Sequence, residues 1–259
     1  MGLTPLRGRG VARRRPEPPS EGERDMPAQI ITVAQHKGGA GKTTLAAHLA
    51  VSWAEEGRRV ALLDTDPQAS LGAWHRQRQT ALSKRAQPIA YASATGWCVR
   101  GELDRLSRIA ELILVDTPPH GGLDARQSLR LSAAVLVPVQ PSPLDLWATA
   151  TVLDEIARER SRPLIVLTRV PARARLTAEV VAELARLETP LAGSRLGNRT
   201  AFAATLAAGA SVADWAMQDE PWCIDAAREI RDLAWEVLDF IGIQAIADAE
   251  PRRATAVAG

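Results

Sequence analysis

Ile30-Ile-Thr-Val-Ala-Gln-His-Lys-Gly-Gly-Ala-Gly-Lys-Thr-Thr-Leu45 reads as an apolar strand, a glycine loop carrying two lysines, and the first turn of a helix. The chain has three lysines against 29 arginines, and two of the three, Lys37 and Lys42, stand in this loop. An ammonium is a compact point charge, whereas a guanidinium is a broad planar fork. Writing lysine here points to a nucleoside triphosphate as ligand. Gly38, Gly39 and Gly41 give the backbone dihedrals that let several N–H groups converge on one anion. The helix that starts near Lys42 adds its positive dipole end and unpaired N–H groups. Lys42 suits the β- and γ-phosphates, and the Thr43 hydroxyl suits magnesium. The usual pattern G-x-x-x-x-G-K-[ST] fails at its first glycine, where His36 stands; the chain has K-G-G-x-G-K-T with the additional Lys37.

Two other segments match the needs of such a loop. Arg59-Val-Ala-Leu-Leu-Asp-Thr-Asp-Pro-Gln68 is a buried-strand run ending in two carboxylates, and Leu112-Ile-Leu-Val-Asp-Thr-Pro-Pro119 is an apolar strand ending in Asp116. Ligands of parallel sheets bind at the carboxyl ends of strands, so three polar ends are expected at one crevice. Asp116 then fits a magnesium contact through water, and Asp66 fits orientation of an attacking water and the metal itself.

These motifs, Lys37-Gly-Gly-Ala-Gly-Lys-Thr-Thr44, Asp64-Thr-Asp-Pro-Gln68 and Asp116-Thr-Pro-Pro119, resemble the ParA/MinD superfamily of deviant Walker ATPases, and most of all its ParA branch. Val135-Leu-Val-Pro-Val-Gln140 is similar to the strand after that family's switch region. The likeness covers roughly residues 28–240 and loosens after Arg169. It implies a single-domain α/β P-loop fold with a predominantly parallel sheet flanked by helices. It implies ATP and Mg²⁺ as cofactors, with nucleotide contacts from Lys37, Gly38, Gly39, Ala40, Gly41, Lys42, Thr43 and Thr44, and from Pro221 in an adenine loop. Catalytic duty falls to Lys37, Lys42 and Asp66, and metal binding to Thr43, Asp66 and Asp116. In an ATP-bound homodimer, Lys37 would reach the partner's nucleotide and act much as an arginine finger does.

The resemblance also implies nonspecific DNA binding, a ParB-like or cargo-adaptor protein that stimulates hydrolysis, and a cytoplasmic, nucleoid-associated location. Arg173, Arg175, Arg195, Arg199, Arg228 and Arg231 are the candidate DNA contacts, with Arg199 foremost because Gly197-Asn-Arg-Thr-Ala-Phe202 resembles a family loop. Guanidinium groups on one face suffice for backbone binding of this kind, which weakens with salt.

A length of 259 residues supports one α/β domain, and 24% charged with 46% apolar residues is ordinary for a globular chain. No run of about 18 apolar residues marks a membrane span. Cys98 and Cys223 lack metal or C-x-x-C spacing. Residues 1–27 hold six arginines and four acids, so the whole formal charge of +2 lies there; they read as a disordered arm. Residues 28–243 form the expected ATPase domain and 244–259 a flexible tail. The seven tryptophans have no stacking-platform spacing and read as packing residues. His48, His75 and His120 do not suggest a metal site.

Helices are expected over Thr43–Glu56, Ser70–Ala81, Arg100–Ala110, after Trp147 to about Arg160, Thr177–Leu187, from Thr200, and Glu220–Ile241; strands are expected at Pro163–Thr168 and Pro190–Leu196. Two rival functions share the loop class. A MinD-like membrane switch needs an amphipathic C-terminal helix, and Ala249–Gly259 has little apolar moment. A small-molecule biosynthetic ligase is disfavoured by the D-x-D-P-Q form.

Overall fold

The structure, a computed structural model, describes residues 27–82, 86–119, 123–172, 175–216 and 220–243. Residues 1–26 of the expected arm over 1–27, the tail over 244–259, His120 and Arg173 lie outside these residues. Seven strands, β1 Gln29–Val33, β2 Val60–Asp64, β3 Ile89–Ser93, β4 Leu112–Asp116, β5 Ala134–Val139, β6 Pro163–Val170 and β7 Leu191–Gly197, form one sheet in the order β3-β2-β4-β1-β5-β6-β7. Every pairing is parallel. The helices are α1 Lys42–Glu55, α2 Ser70–Leu82, α3 Cys98–Leu106, α4 Leu123–Leu131, α5 Pro143–Arg158, α6 Arg175–Ala185, α7 Thr200–Ala207, α8 Val212–Ala216 and α9 Pro221–Phe240.

A parallel sheet covered on both faces needs apolar residues at every strand position, and β2 and β4 are buried throughout. Alternation then decides which layer each residue joins. Leu62, Leu112 and Leu114 pack with Leu45, Leu49 and Trp53 of α1 and with Ile230 and Leu233 of α9. Leu63, Ile113 and Val115 face the other way, toward Val99, Leu103 and Leu106 of α3. Val135, Val137 and Ile165 join Val152 and Ile156 of α5 and Val180 and Leu184 of α6. Trp53 is fully buried, and its indole N–H donates to the Ala234 carbonyl at 3.2 Å, tying α1 to α9.

The expected elements are present, some with coincident ends and others with ends displaced by up to five residues. The helix expected after Trp147 begins at Pro143, where Ser142 caps it by accepting from the Asp145 N–H. The helix expected at Arg100–Ala110 begins at Cys98 and ends at Leu106. Three elements lack a counterpart in the sequence expectations: β3, α4 and α8. Among the described residues the edge strand β3 pairs with β2 alone. The short α8 is held tertiarily, by Arg78 of α2, which grips Asp214 through two bonds of 2.6 and 2.9 Å.

His48 of α1 is fully buried beside the Ser211 hydroxyl at 2.9 Å and the Phe202 carbonyl at 3.2 Å. Burial lowers its pKa from 6.5 to about 4, against opposing pulls from the Phe202 carbonyl and Asp214. The unfolded chain therefore binds a proton that the fold refuses between those values, so stability rises with pH across that window. Acidification from pH 6.5 to 4 is expected to remove about 3 kcal/mol through this residue. Chemical denaturation of the natural chain and of His48→Gln at both pH values checks it: the variant should show the smaller pH dependence, and equal slopes would exclude His48 as the cause.

Candidate functional site

Three strand ends converge as expected. β2, β4 and β1 are neighbours, with Asp64 in register with Asp116 and Asp116 in register with Val33. From Val33 the chain passes over the end of the sheet into α1. Gly39 and Gly41 have φ of +73° and +96°, values that disfavour any side chain. A Cβ on either would meet nothing within 4 Å, so these glycines serve the dihedrals and keep the cup open, not the packing.

The cup is braced from its surroundings. The Gln140 side chain donates to the Gly39 carbonyl at 2.9 Å, and the Thr168 hydroxyl to the Ala40 carbonyl at 3.3 Å. Gln35 donates to the Pro138 carbonyl at 3.2 Å while its own carbonyl accepts from Lys42 Nζ at 3.0 Å. Burial lowers the Lys42 pKa, and Asp116 and Asp66 oppose that shift. The amine is thus buried at the mouth of α1, in place to meet an anion.

Thr43 Oγ1 donates to Asp116 Oδ2 at 2.6 Å. Asp116 is buried and its pKa is pushed up to about 7, chiefly by desolvation, with Thr43 pulling it down and Asp64 adding to the rise. Its Oδ1 is buried with no hydrogen-bond partner. A hydroxyl that donates to a carboxylate keeps its lone pairs for a cation. Thr43 and the orphaned carboxylate oxygen therefore fit a hard divalent ion with oxygen ligands. Asp66 is half-buried; it accepts from Gln68 N–H at 2.9 Å and lines the same cavity as Lys42 and Thr43.

Two cavities meet at the cup. One, of ≈ 620 Å³, is walled by Gly38, Lys42, Thr43, Asp66 and Pro119 among others. The second, of ≈ 270 Å³, runs from Gly41 and Thr44 to Thr168, Leu196, Asn198 and Phe202. Gly41, Thr44 and Arg169 line both. A charged cradle continuing into a smaller, more apolar slot has the shape of a site for a nucleotide. Pro221, expected as an adenine contact, lines neither cavity and opens α9 instead. The slot is walled by the ends of β6 and β7, by Phe202 of α7 and, at Ile230, by α9 itself.

Sequence reasoning gave no role to Asp64, Gln140, Thr168 or Asp145. Asp64 accepts from the N–H groups of Gly72 and Asp66, at 3.0 and 3.1 Å, so it sets the loop that carries Asp66; burial raises its pKa. Asp145 receives Lys37 Nζ at 2.5 Å and the Ser142 hydroxyl, and its side chain is fully enclosed. Lys37 is thus folded back within its own subunit. The Ser142-x-x-Asp145 spacing signals a helix cap; nothing local signals a lysine 108 residues away.

Of the candidate DNA arginines whose side chains are described, Arg199 and Arg228 pair with carboxylates. Arg199 donates to Glu229 at 2.8 and 2.9 Å and lies 3.4 Å from Asp225, and Glu229 also accepts from the Gly197 N–H. Its hydrogen bond to Glu229 raises its pKa. Arg228 pairs with the same Asp225. Arg199, the foremost expectation, is exposed and braces the loop before α7, with two carboxylates beside its charge. Arg195 and Arg231 are exposed. Arg175 opens α6, and its side chain lies outside the described residues.

The family of the CobQ/CobB/MinD/ParA nucleotide binding domain matches residues 31–212. Maintenance of carboxysome distribution protein A from Halothiobacillus neapolitanus is 28% identical over 191 residues, which is 71% of this chain and 87% of that protein. The Mg-ADP complex of septum site-determining protein MinD from Pyrococcus horikoshii superposes with a TM-score of 0.67 at 20% identity, covering 85% of this chain and all of that one. The ATP complex of a McdA variant from Cyanothece gives 0.66 at 13%, covering 85% and 99%. Both structures share the fold.

Asp145→Ala removes the partner of Lys37 and the Ser142 contact together, and is expected to lower unfolding stability by roughly 1–3 kcal/mol. Leu144→Ala, at an exposed neighbour on the same turn, should change it by less than about 0.5 kcal/mol. Urea denaturation compares the two; equal effects would show that the Lys37–Asp145 contact carries no stability.

Proposed function

The chain belongs to the CobQ/CobB/MinD/ParA nucleotide binding domain family, and from that premise we propose that it is an ATP-driven dimerisation switch that positions a cargo inside the cell. The observation that carries this reading is the braced main-chain cup with Lys42 buried at its floor and an acid-backed hydroxyl, Thr43, beside it. Cup N–H groups and Lys42 hold the phosphates of ATP, with the base in the slot between Thr168 and Asn198. Thr43 and Asp116 hold Mg²⁺, with Asp66 close by. Bound there, the metal would supply positive charge opposite the phosphate oxygens. Asp66, fixed through Asp64 and Gln68, orients the water that attacks the terminal phosphate.

Lys37 supplies the second amine in trans once released from Asp145. Two protomers then share two nucleotides, and each lends positive charge to the other's reacting centre. The ATP dimer binds DNA through exposed arginines such as Arg195 and Arg231, a partner protein stimulates hydrolysis, and the ADP state lets go. The relative named for carboxysome distribution favours positioning of a protein assembly over plasmid or chromosome partition. Among the described residues no helix is long and apolar enough to cross a membrane.

Lys42→Ala should weaken ATP binding by about two orders of magnitude in calorimetry. Lys37→Ala should bind ATP normally but lower partner-stimulated hydrolysis on the order of a thousandfold. Normal stimulated turnover in that variant would refute the trans role.

Retention on plasmid DNA should require ATP and fall steeply with salt. Equal retention with ATP and ADP would overturn the switch.

A further inference from the structure

β6 departs from regular strand geometry near its end. Its pairing with β7 passes from Leu167–Arg195 to Val170–Gly197, three steps on β6 against two on β7, so β6 carries one extra residue there as a bulge. Arg169 stands in that bulge with φ of +50°. Among the described residues three others besides glycine have positive φ, namely Ala69, Arg160 and Glu188, and each lies within three residues of a helix end, where the chain turns. Arg169 is the one inside a strand. Glycine is the usual occupant of a left-handed bulge position, because a Cβ is strained in it. A long cationic side chain held there is strain of the kind that collects at ligand sites.

The bulge decides where the side chains go. Leu167 and Val170 both join the cluster formed with α5 and α6. Between them Thr168 turns to the other side, where its hydroxyl donates to the Ala40 carbonyl. Strict alternation would send Arg169 back beside Leu167. Instead it lines both cavities together with Gly41 and Thr44. It is exposed, and among the described residues no carboxylate pairs with it. Arg199, the other guanidinium in the slot wall, is held by Glu229 and Asp225. Lys42, Thr43 and Asp66 line the larger cavity but not the slot. An unpaired cation therefore marks the joint between cradle and slot.

Resting on the nucleotide site proposed above, we propose that Arg169 clamps the α-phosphate, the one that carries the ribose, and that the left-handed bulge aims it there. With the outer phosphates at Lys42 and the base in the slot, that phosphate falls at the joint. The guanidinium donates to its oxygens in charge-assisted hydrogen bonds. ATP and ADP share this phosphate, so Arg169 sets affinity for both nucleotides and leaves their discrimination to the far end of the cup.

Calorimetry of the full chain with Mg-ATP and with Mg-ADP tests this. Arg169→Gln keeps the strained backbone and removes the charge, whereas Arg169→Gly removes both. Each variant should bind each nucleotide at least about tenfold more weakly than the natural chain. Without nucleotide, Arg169→Gly should unfold at the same temperature or up to about 3 °C higher, because its backbone is relieved. Unchanged affinity in Arg169→Gln would overturn the clamp. Weakened binding of ATP alone would move the guanidinium to the terminal phosphate and overturn it equally. A lower unfolding temperature in both variants would make Arg169 a prop of the fold. If the natural chain bound neither nucleotide, the site itself would be refuted, and the clamp with it.

Discussion

A loop of glycines cannot hold its own shape, because glycine has more conformational freedom to lose than any other residue. The cup between β1 and α1 is instead shaped by hydrogen bonds from elements far along the chain. Gln140 follows β5, Thr168 lies in β6, and the Pro138 carbonyl that receives Gln35 is part of β5. The bonds from Gln140 and Thr168 fix two successive loop carbonyls, those of Gly39 and Ala40, so neither carbonyl is left to turn into the cup. Preorganised donors of this kind stabilise charge without reorganising as it develops. The position of Lys42, the direction of the cup and the entrance to the slot all depend on this outer bracing.

The strands that build the site were legible because a doubly covered parallel sheet writes continuous apolar runs. Val60–Leu63 and Leu112–Val115 each run into an aspartate, Ile30–Val33 runs through Ala34 into the loop, and those ends do meet. Elements whose stability comes from distant contacts were not legible. β3 alternates weakly in an edge position, and α8 holds its place through the Arg78–Asp214 pair, 136 residues apart. The same division runs through the site. Glycines and Lys42 act through local geometry and could be read directly, while Asp145 and Gln140 act across a hundred residues and carry no local mark. Pro221 was placed by likeness alone in a stretch where the likeness is loose.

The arginines teach a related point about charge. With 29 of them in the chain, residue type says little about which are available to a polyanion. Arg199 shares Glu229 with the Gly197 N–H, and Arg228 shares Asp225 with Arg199, so this corner is close to neutral. It holds the loop at the slot, where Gly197, Asn198 and Arg199 form part of the wall. A surface that meets phosphate backbones must instead come from cations that the fold leaves unanswered.

The order of the strands also bears on how the molecule comes into being. β1 is made early but sits in the middle, between β4 and β5, whose paired residues begin about 80 and 100 positions later. Pairing across such separations closes large loops and is slow. During synthesis at about 5–20 residues per second, the glycine segment leaves the ribosome well before Gln140 and Thr168 exist to hold it. The capacity to grip a polyanion is consequently among the last properties this polypeptide acquires, and an interrupted product ending before β6 would own the signature yet lack its grip.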